Sequence, residues 1–171
     1  MKRSELKVLP EYFDRYVLKC DDVEMLDALK NSIDEIEKLD LNELLLLGDK
    51  VYAPGKWTVK EVFQHLIDTE RIFSYRVLCY ARGEKEAVLG FDEDSYNKAS
   101  MAQRRELKDL LDELIAVHRS TLALFQSFTT EMLDNMCIGF KGKYSVASAG
   151  FLLPGHQRWH LDIIKERYLT L

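Results

Sequence analysis

The chain has 171 residues, 47% of them hydrophobic and 31% charged, with 8 Gly and 3 Pro, which suits one compact helical domain with a real core over residues 1–171. Its net charge of −5 spreads 24 Lys and Arg among 29 acids, leaving no basic face and excluding nucleic acid as an expected partner. The start, Met1-Lys2-Arg3-Ser4-Glu5, runs into charge, and the longest clean apolar run is Leu44 to Leu47, so no signal peptide, no membrane partner and a cytoplasmic setting are expected.

Residues 1–20 read as a lead-in whose Tyr12, Phe13 and Tyr16 are too many aromatics to leave in water, so the segment is expected to pack on the body of the fold. The first long helix is predicted from Asp21 or Asp22, as N-cap, to about Leu39, with Leu26, Leu29, Ile33 and Ile36 at helical spacing. Ala53-Pro54-Gly55-Lys56 then marks a loop.

Thr58-Val59-Lys60-Glu61 is a capping box that opens a second helix, with Trp57 placed to staple onto Val62 or its neighbour. This helix is predicted to reach Arg82 before Gly83, with Val59, Val62, Leu66, Phe73, Val77 and Tyr80 on its apolar face. His65 lies on the flank of that face. It suits either a solvated edge or a group turned into the end of a bundle. Glu70 falls on the apolar face, where a carboxylate needs a partner, and Arg71 or Arg76 is the expected ion pair. It sits about 140° around the helix from His65, whereas Asp68 is closer in angle and suited to orienting an imidazole from behind.

Residues 83–100 carry Gly90-Phe91-Asp92-Glu93-Asp94-Ser95-Tyr96, too acidic and aperiodic for a core helix, and read as a long loop of the kind that covers a site. The third helix is predicted from Arg104 or Arg105 to Phe128, with His118 inside its stripe as a hydrogen-bonded core residue rather than a ligand. Thr130 to Lys143 reads as a second irregular connection, with Gly139 and Gly142 around Phe140. Ser145 caps the fourth helix, in which Pro154 removes one backbone hydrogen bond and is expected to kink the path. Cys20, Cys79 and Cys137, odd in number and without a C-x-x-C pattern, read as reduced packing thiols, with catalytic use of one as the alternative.

The fourth helix holds Gly155-His156-Gln157-Arg158-Trp159-His160. A spacing of four stacks the two imidazoles on one face, as a metal site built on a helix requires, though it equally fits ordinary polar residues beside a core stripe. Two histidines leave a divalent ion underligated. His65 joins them if the second and fourth helices bring those levels to the same end of a bundle. Four amphipathic helices with two long connections point to a four-helix bundle without simple up-down order.

Several segments together resemble the DinB superfamily: Pro54-Gly55-Lys56-Trp57-Thr58-Val59-Lys60-Glu61, then His65 to Phe73, Tyr75-Arg76, Ala81-Arg82-Gly83, Gly90 to Asp94, and Gly155-His156 to His160-Leu161. The likeness spans nearly the whole chain, which is similar to the branch that includes YfiT-type bacillithiol transferases and related metal-dependent hydrolases. It implies an all-α, up-down-down-up four-helix bundle, a homodimer, and a divalent metal, zinc or nickel, on His65, His156 and His160. By their place on the second helix, Asp68 and Glu70 are the candidate acids to support the ligands. Relatives often carry Glu and His where this chain has Gln157 and Trp159. The implied function is a metal-dependent enzyme that activates a small thiol or water against an electrophilic small molecule, as a thiol S-transferase or hydrolase. The alternatives are a non-catalytic bundle that binds a metal or small ligand in a stress response, and a helical interaction domain whose histidines are incidental.

Overall fold

The structure is a computed structural model that describes residues 1–139 and 142–171. Phe140, expected within the second irregular connection, lies outside the described residues. The helices are α1 (Asp14–Val17), α2 (Met25–Glu37), α3 (Leu41–Leu45), α4 (Val59–Ala81), α5 (Glu93–Ser100), α6 (Leu107–Gln126), α7 (Thr130–Leu133) and α8 (Val146–Ile163), the last running on as a π-helical turn over Ile164–Tyr168. Strands β1 (Met136–Gly139) and β2 (Gly142–Ser145) form an antiparallel hairpin with Cys137 opposite Tyr144.

The bundle consists of α2, α4, α6 and α8, with α2 and α4 each packed on both α6 and α8. Contacts between named residues fix the directions. On α4 and α6, Arg71 meets Glu113 and Ser74 meets Thr121, so the two run parallel. His65 faces His156 while Trp57, ahead of α4, bonds Tyr168, so α4 and α8 are antiparallel. Ser32 of α2 meets Gln157, and Met25 lies against Gly150, so α2 runs with α8. The order is up-down-down-up.

Local chemistry sets the ends of these elements. Thr58 Oγ1 accepts from the Glu61 amide at 3.3 Å while the Glu61 carboxylate accepts from the Thr58 amide at 2.7 Å, closing the capping box of α4. Ser145 Oγ accepts from the Ser148 amide at 3.0 Å and starts α8. The first long helix begins at Met25 rather than after Asp21 or Asp22. The Met1 carbonyl takes the Met25 amide at 3.0 Å, and Asp22 is occupied by the Ser4 amide at 2.7 Å, so the N-terminal segment does the work expected of an acidic cap.

Both long connections are more ordered than their sequences suggest. The acid-rich run is the polar first turn of α5, where acids suit the helix N-terminus and Asp92 accepts from the Ser95 amide at 2.8 Å. Only Asn97 of α5 is fully buried, which is why no apolar period announces it. Thr130–Leu133 forms α7, and Met136–Gly139 pairs with Gly142–Ser145, with Cys137 and Tyr144 facing the core. The lead-in packs as expected: the Phe13 ring meets Phe73 at 5.8 Å and Tyr144 at 5.6 Å, edge to face.

Two apolar clusters fill the bundle, one around Phe73, Tyr80, Phe125 and Phe151, the other around Phe63, Ile67, Leu110 and Leu114. Between these levels of the helices lie buried polar groups: His65, Thr69 and Glu70 of α4, His118 of α6, His156 and Gln157 of α8. Among the described residues, no helix is long and apolar enough to cross a membrane.

Candidate metal centre

From Val146 to Gln157 every residue of α8 is buried, and the helix is continuous through Pro154. Close approach explains two of its glycines. A Cβ on Gly155 would lie 1.8 Å from the Tyr16 carbonyl oxygen, and one on Gly150 would lie 2.5 Å from Met25 Sδ. Gly155 therefore lets α1 lie against α8 beside His156, with the Tyr16 ring edge-on to that imidazole at 5.0 Å.

The antiparallel pair α4 and α8 brings His65, His156 and His160 together. Their nearest ring nitrogens all lie within 4.8 Å of one another. His156 Nε2 is 3.2 Å from His65 Nε2 and 3.1 Å from His160 Nε2. His65 and His156 are buried and His160 is half-buried. Burial drives the His65 pKa down to about 3, helped by His160, and that of His160 down to about 4. His156 is pushed well below the usual value by burial, then by His160, His65 and Arg15. At neutral pH these are three neutral imidazoles whose lone pairs can converge on one point.

The surroundings hold the rings in place. His65 Nδ1 lies 3.4 Å from Thr69 Oγ1, one turn along α4. Trp57 covers His65 at a centroid distance of 4.8 Å, and its own carbonyl accepts from the Tyr168 hydroxyl. Sequence reasoning misses Thr69 and Trp57 as site residues. Thr69 was legible, because it sits four residues after His65; Tyr16 reaches His156 only through the tertiary fold.

The two acids expected near His65 are engaged elsewhere. Asp68 accepts from Gln64 Nε2 at 2.9 Å. Glu70 finds neither Arg71 nor Arg76: its Oε2 accepts from His118 Nδ1 at 2.7 Å, because the parallel packing of α4 and α6 sets them at one level, while Arg71 turns outward to Glu113. Among the described residues, no carboxylate lies within ion-pair distance of the three clustered imidazoles.

His118 is the hydrogen-bonded core residue expected. Burial opposes its charged form, but the charge and hydrogen bond of Glu70 outweigh it, with help from Gln157, and the pKa is raised. Its Nε2 donates to Gln157 Oε1 at 2.6 Å, and Gln157 Nε2 donates to the Ser32 carbonyl at 2.9 Å and to Glu35 at 3.1 Å. Gln157, where relatives often carry Glu, thus joins three helices. Trp159 packs outside the cluster, against Tyr16.

A cleft opens on the His156 side between α1, α4 and α5, with Thr69, Phe73, Leu152 and His156 in its wall. A second, on the far side, reaches His160 between Trp57 and Tyr168. The cysteines stand apart from both. Cys20 and Cys137 are buried, and burial pushes both thiols up to about 12, which disfavours the thiolate.

The solved structure of YfiT from Bacillus subtilis, described as a probable metal-dependent hydrolase with an unusual four-helix bundle topology, is similar to this fold. The TM-score is 0.69 and the identity 20%, covering 96% of this chain and 90% of that one. No curated protein matches the sequence significantly. The DinB superfamily matches over residues 26–164, from α2 to the end of α8 and so through all three clustered histidines, and the chain belongs to that superfamily.

Proposed function

We propose that His65, His156 and His160 hold one divalent metal ion, zinc or nickel, and that the chain is a metal-dependent enzyme acting on an electrophilic small molecule. The observation that carries this reading is the meeting of three neutral imidazoles, two buried and one half-buried, at their Nε2 atoms. Separations of 3.1 and 3.2 Å match the edges, about 3.3 Å long, of a tetrahedron with ligands about 2.0–2.1 Å from zinc. Without an ion, the same separations require an Nε2–H to donate to a neighbouring Nε2, since facing lone pairs repel.

When bound, the ion would supply Lewis-acid activation of a water or a small thiol. The chain's own groups do the rest. With Nε2 as the ligating atom, His65 carries its proton on Nδ1 and donates it to Thr69 Oγ1, which fixes tautomer and ring orientation. Trp57 and Tyr16 shield the imidazoles from bulk water, and the cleft beside His156 admits the substrate.

Water as nucleophile gives hydrolysis, which accords with the description of YfiT. A small thiol as nucleophile gives S-transfer, which accords with the resemblance to the bacillithiol-transferase branch. Elemental analysis of untagged protein tests the metal first: one ion per chain, lost in His65→Ala, is expected, and stoichiometric binding by His65→Ala overturns the ligand set. Ester hydrolysis and thiol-transfer assays on the loaded protein then separate the two reactions. A loaded protein inert in both supports a non-catalytic binding bundle instead. We also propose that the chain acts as a single domain and as a homodimer, and monomer alone in sedimentation at micromolar concentration overturns the second.

A further inference from the structure

His65, Thr69, Phe73 and Arg76 follow one another along α4 at spacings of four, four and three, so they form a single stripe. The last three line the cleft beside His156, together with Phe13, Phe91 and Leu152. Arg76 brings a fixed positive charge to this wall. It is 6% exposed, and its Nη2 donates to the Leu89 carbonyl at 2.9 Å. Its Nε is enclosed with no hydrogen-bond partner, and among the described residues no carboxylate pairs with it.

A guanidinium stays charged in a protein, and enclosing it without a counter-charge is costly. The rings of Phe73 and Phe91, at 5.1 and 5.9 Å, offset part of that cost. They supply no acceptor for the remaining N–H groups.

We propose that this cleft binds a small molecule with an apolar body and one anionic group, the anion seated on Arg76 and the body against Phe73, Phe91 and Leu152. The proposal rests on the reading of the histidine cluster as the reactive centre and adds the class of substrate presented to it. Arg76 lies eleven residues beyond His65, about 16 Å along the helix axis at 1.5 Å per residue, so the anion is a handle remote from the imidazoles rather than a ligand among them. Exposed Glu93 also lines the cleft and disfavours a second negative group.

The test measures dissociation constants of phenylacetate, phenyl phosphate and neutral phenylacetamide on the full chain, zinc-loaded and chelator-stripped. At least one anion should bind about tenfold or more tightly than the amide, and which one does distinguishes a carboxylate from a phosphate substrate. Arg76→Gln should abolish the preference, Arg76→Lys should weaken it, and Glu93→Gln should tighten the anion alone. Equal affinities for anions and amide, or a preference intact in folded Arg76→Gln, overturns the proposal. Should Arg76→Gln fail to fold by circular dichroism, unchanged anion affinity in both Arg76→Lys and Glu93→Gln overturns it. The preference should survive metal stripping. A chain that keeps it but binds no zinc therefore refutes the metal reading alone, and one that binds zinc with no preference refutes this proposal alone.

Discussion

The Glu70 carboxylate and the His118 imidazole meet at 2.7 Å with side chains only 5% and 3% exposed, making a charged pair between two parallel helices in the middle of the bundle. Removing one partner leaves the other buried alone. Glu70→Leu should cost about 3–5 kcal/mol in urea denaturation, and Glu70→Leu/His118→Leu distinctly less than the sum of the two single changes. The pH dependence follows from the raised His118 pKa. Its contribution is fully present below the ordinary value of 6.5 and is lost as pH rises through the raised folded value. The gap in stability between wild type and the double variant should therefore narrow on the alkaline side. A gap that widens there would contradict the pairing.

Gly155 makes a sharper test of packing. In most helix interiors Gly→Ala is stabilising by up to about 1 kcal/mol. Here the added methyl would meet the Tyr16 carbonyl oxygen at 1.8 Å, so backbone must move. Gly155→Ala should destabilise by about 2 kcal/mol or more, with α1 displaced from α8. Thermal unfolding shows the sign, and a rise in melting temperature would refute the close approach.

The three clustered histidines titrate in the opposite sense to His118. Their folded pKa values are depressed, to about 3 for His65 and about 4 for His160, so the unfolded chain binds protons that the folded chain refuses. Their contribution to the stability of the metal-free protein is complete above pH 6.5 and falls as pH drops from there through about 4 to about 3. His65→Ala should flatten this acid limb. Zinc occupancy at equilibrium should persist below the ordinary histidine range before protons displace the ion. Loss of zinc centred at pH 6.5 or above would show that the imidazoles are solvated rather than buried.

The bundle was legible because its caps and stripes are local: Thr58 with Glu61, Ser145 with Ser148, and the apolar spacing along α4 and α6 act within a turn or two. The i, i+4 pair His156 and His160 was legible for the same reason. Partners set by helix direction were not. Glu70 was expected beside an arginine and lies beside His118, because the parallel course of α4 and α6 is a tertiary fact. The start of α2 was misplaced because a distant carbonyl, that of Met1, takes its first amide. Likewise α5 was hidden, since only Asn97 among its residues is buried and its acids read as loop chemistry.

Thr69 offers the most specific probe of the proposed ligand geometry. Its hydroxyl lies 3.4 Å from His65 Nδ1 and is 4% exposed as a residue, so it is the group placed to hold His65 in the tautomer that leaves Nε2 free. Loss of a hydrogen-bonding partner behind a ligating histidine costs about 10- to 100-fold in metal affinity. Thr69→Val keeps shape and removes the acceptor, and should weaken zinc binding about tenfold. Thr69→Ser restores the hydroxyl and should recover most of it. Valine also fits the helix at this position, so the far-ultraviolet circular dichroism should be unchanged, which separates positioning of the imidazole from damage to the fold. Titration with a competing chelator measures the affinities. Equal zinc affinity in wild type, Thr69→Val and Thr69→Ser would show that the ring is held by packing against Trp57 alone.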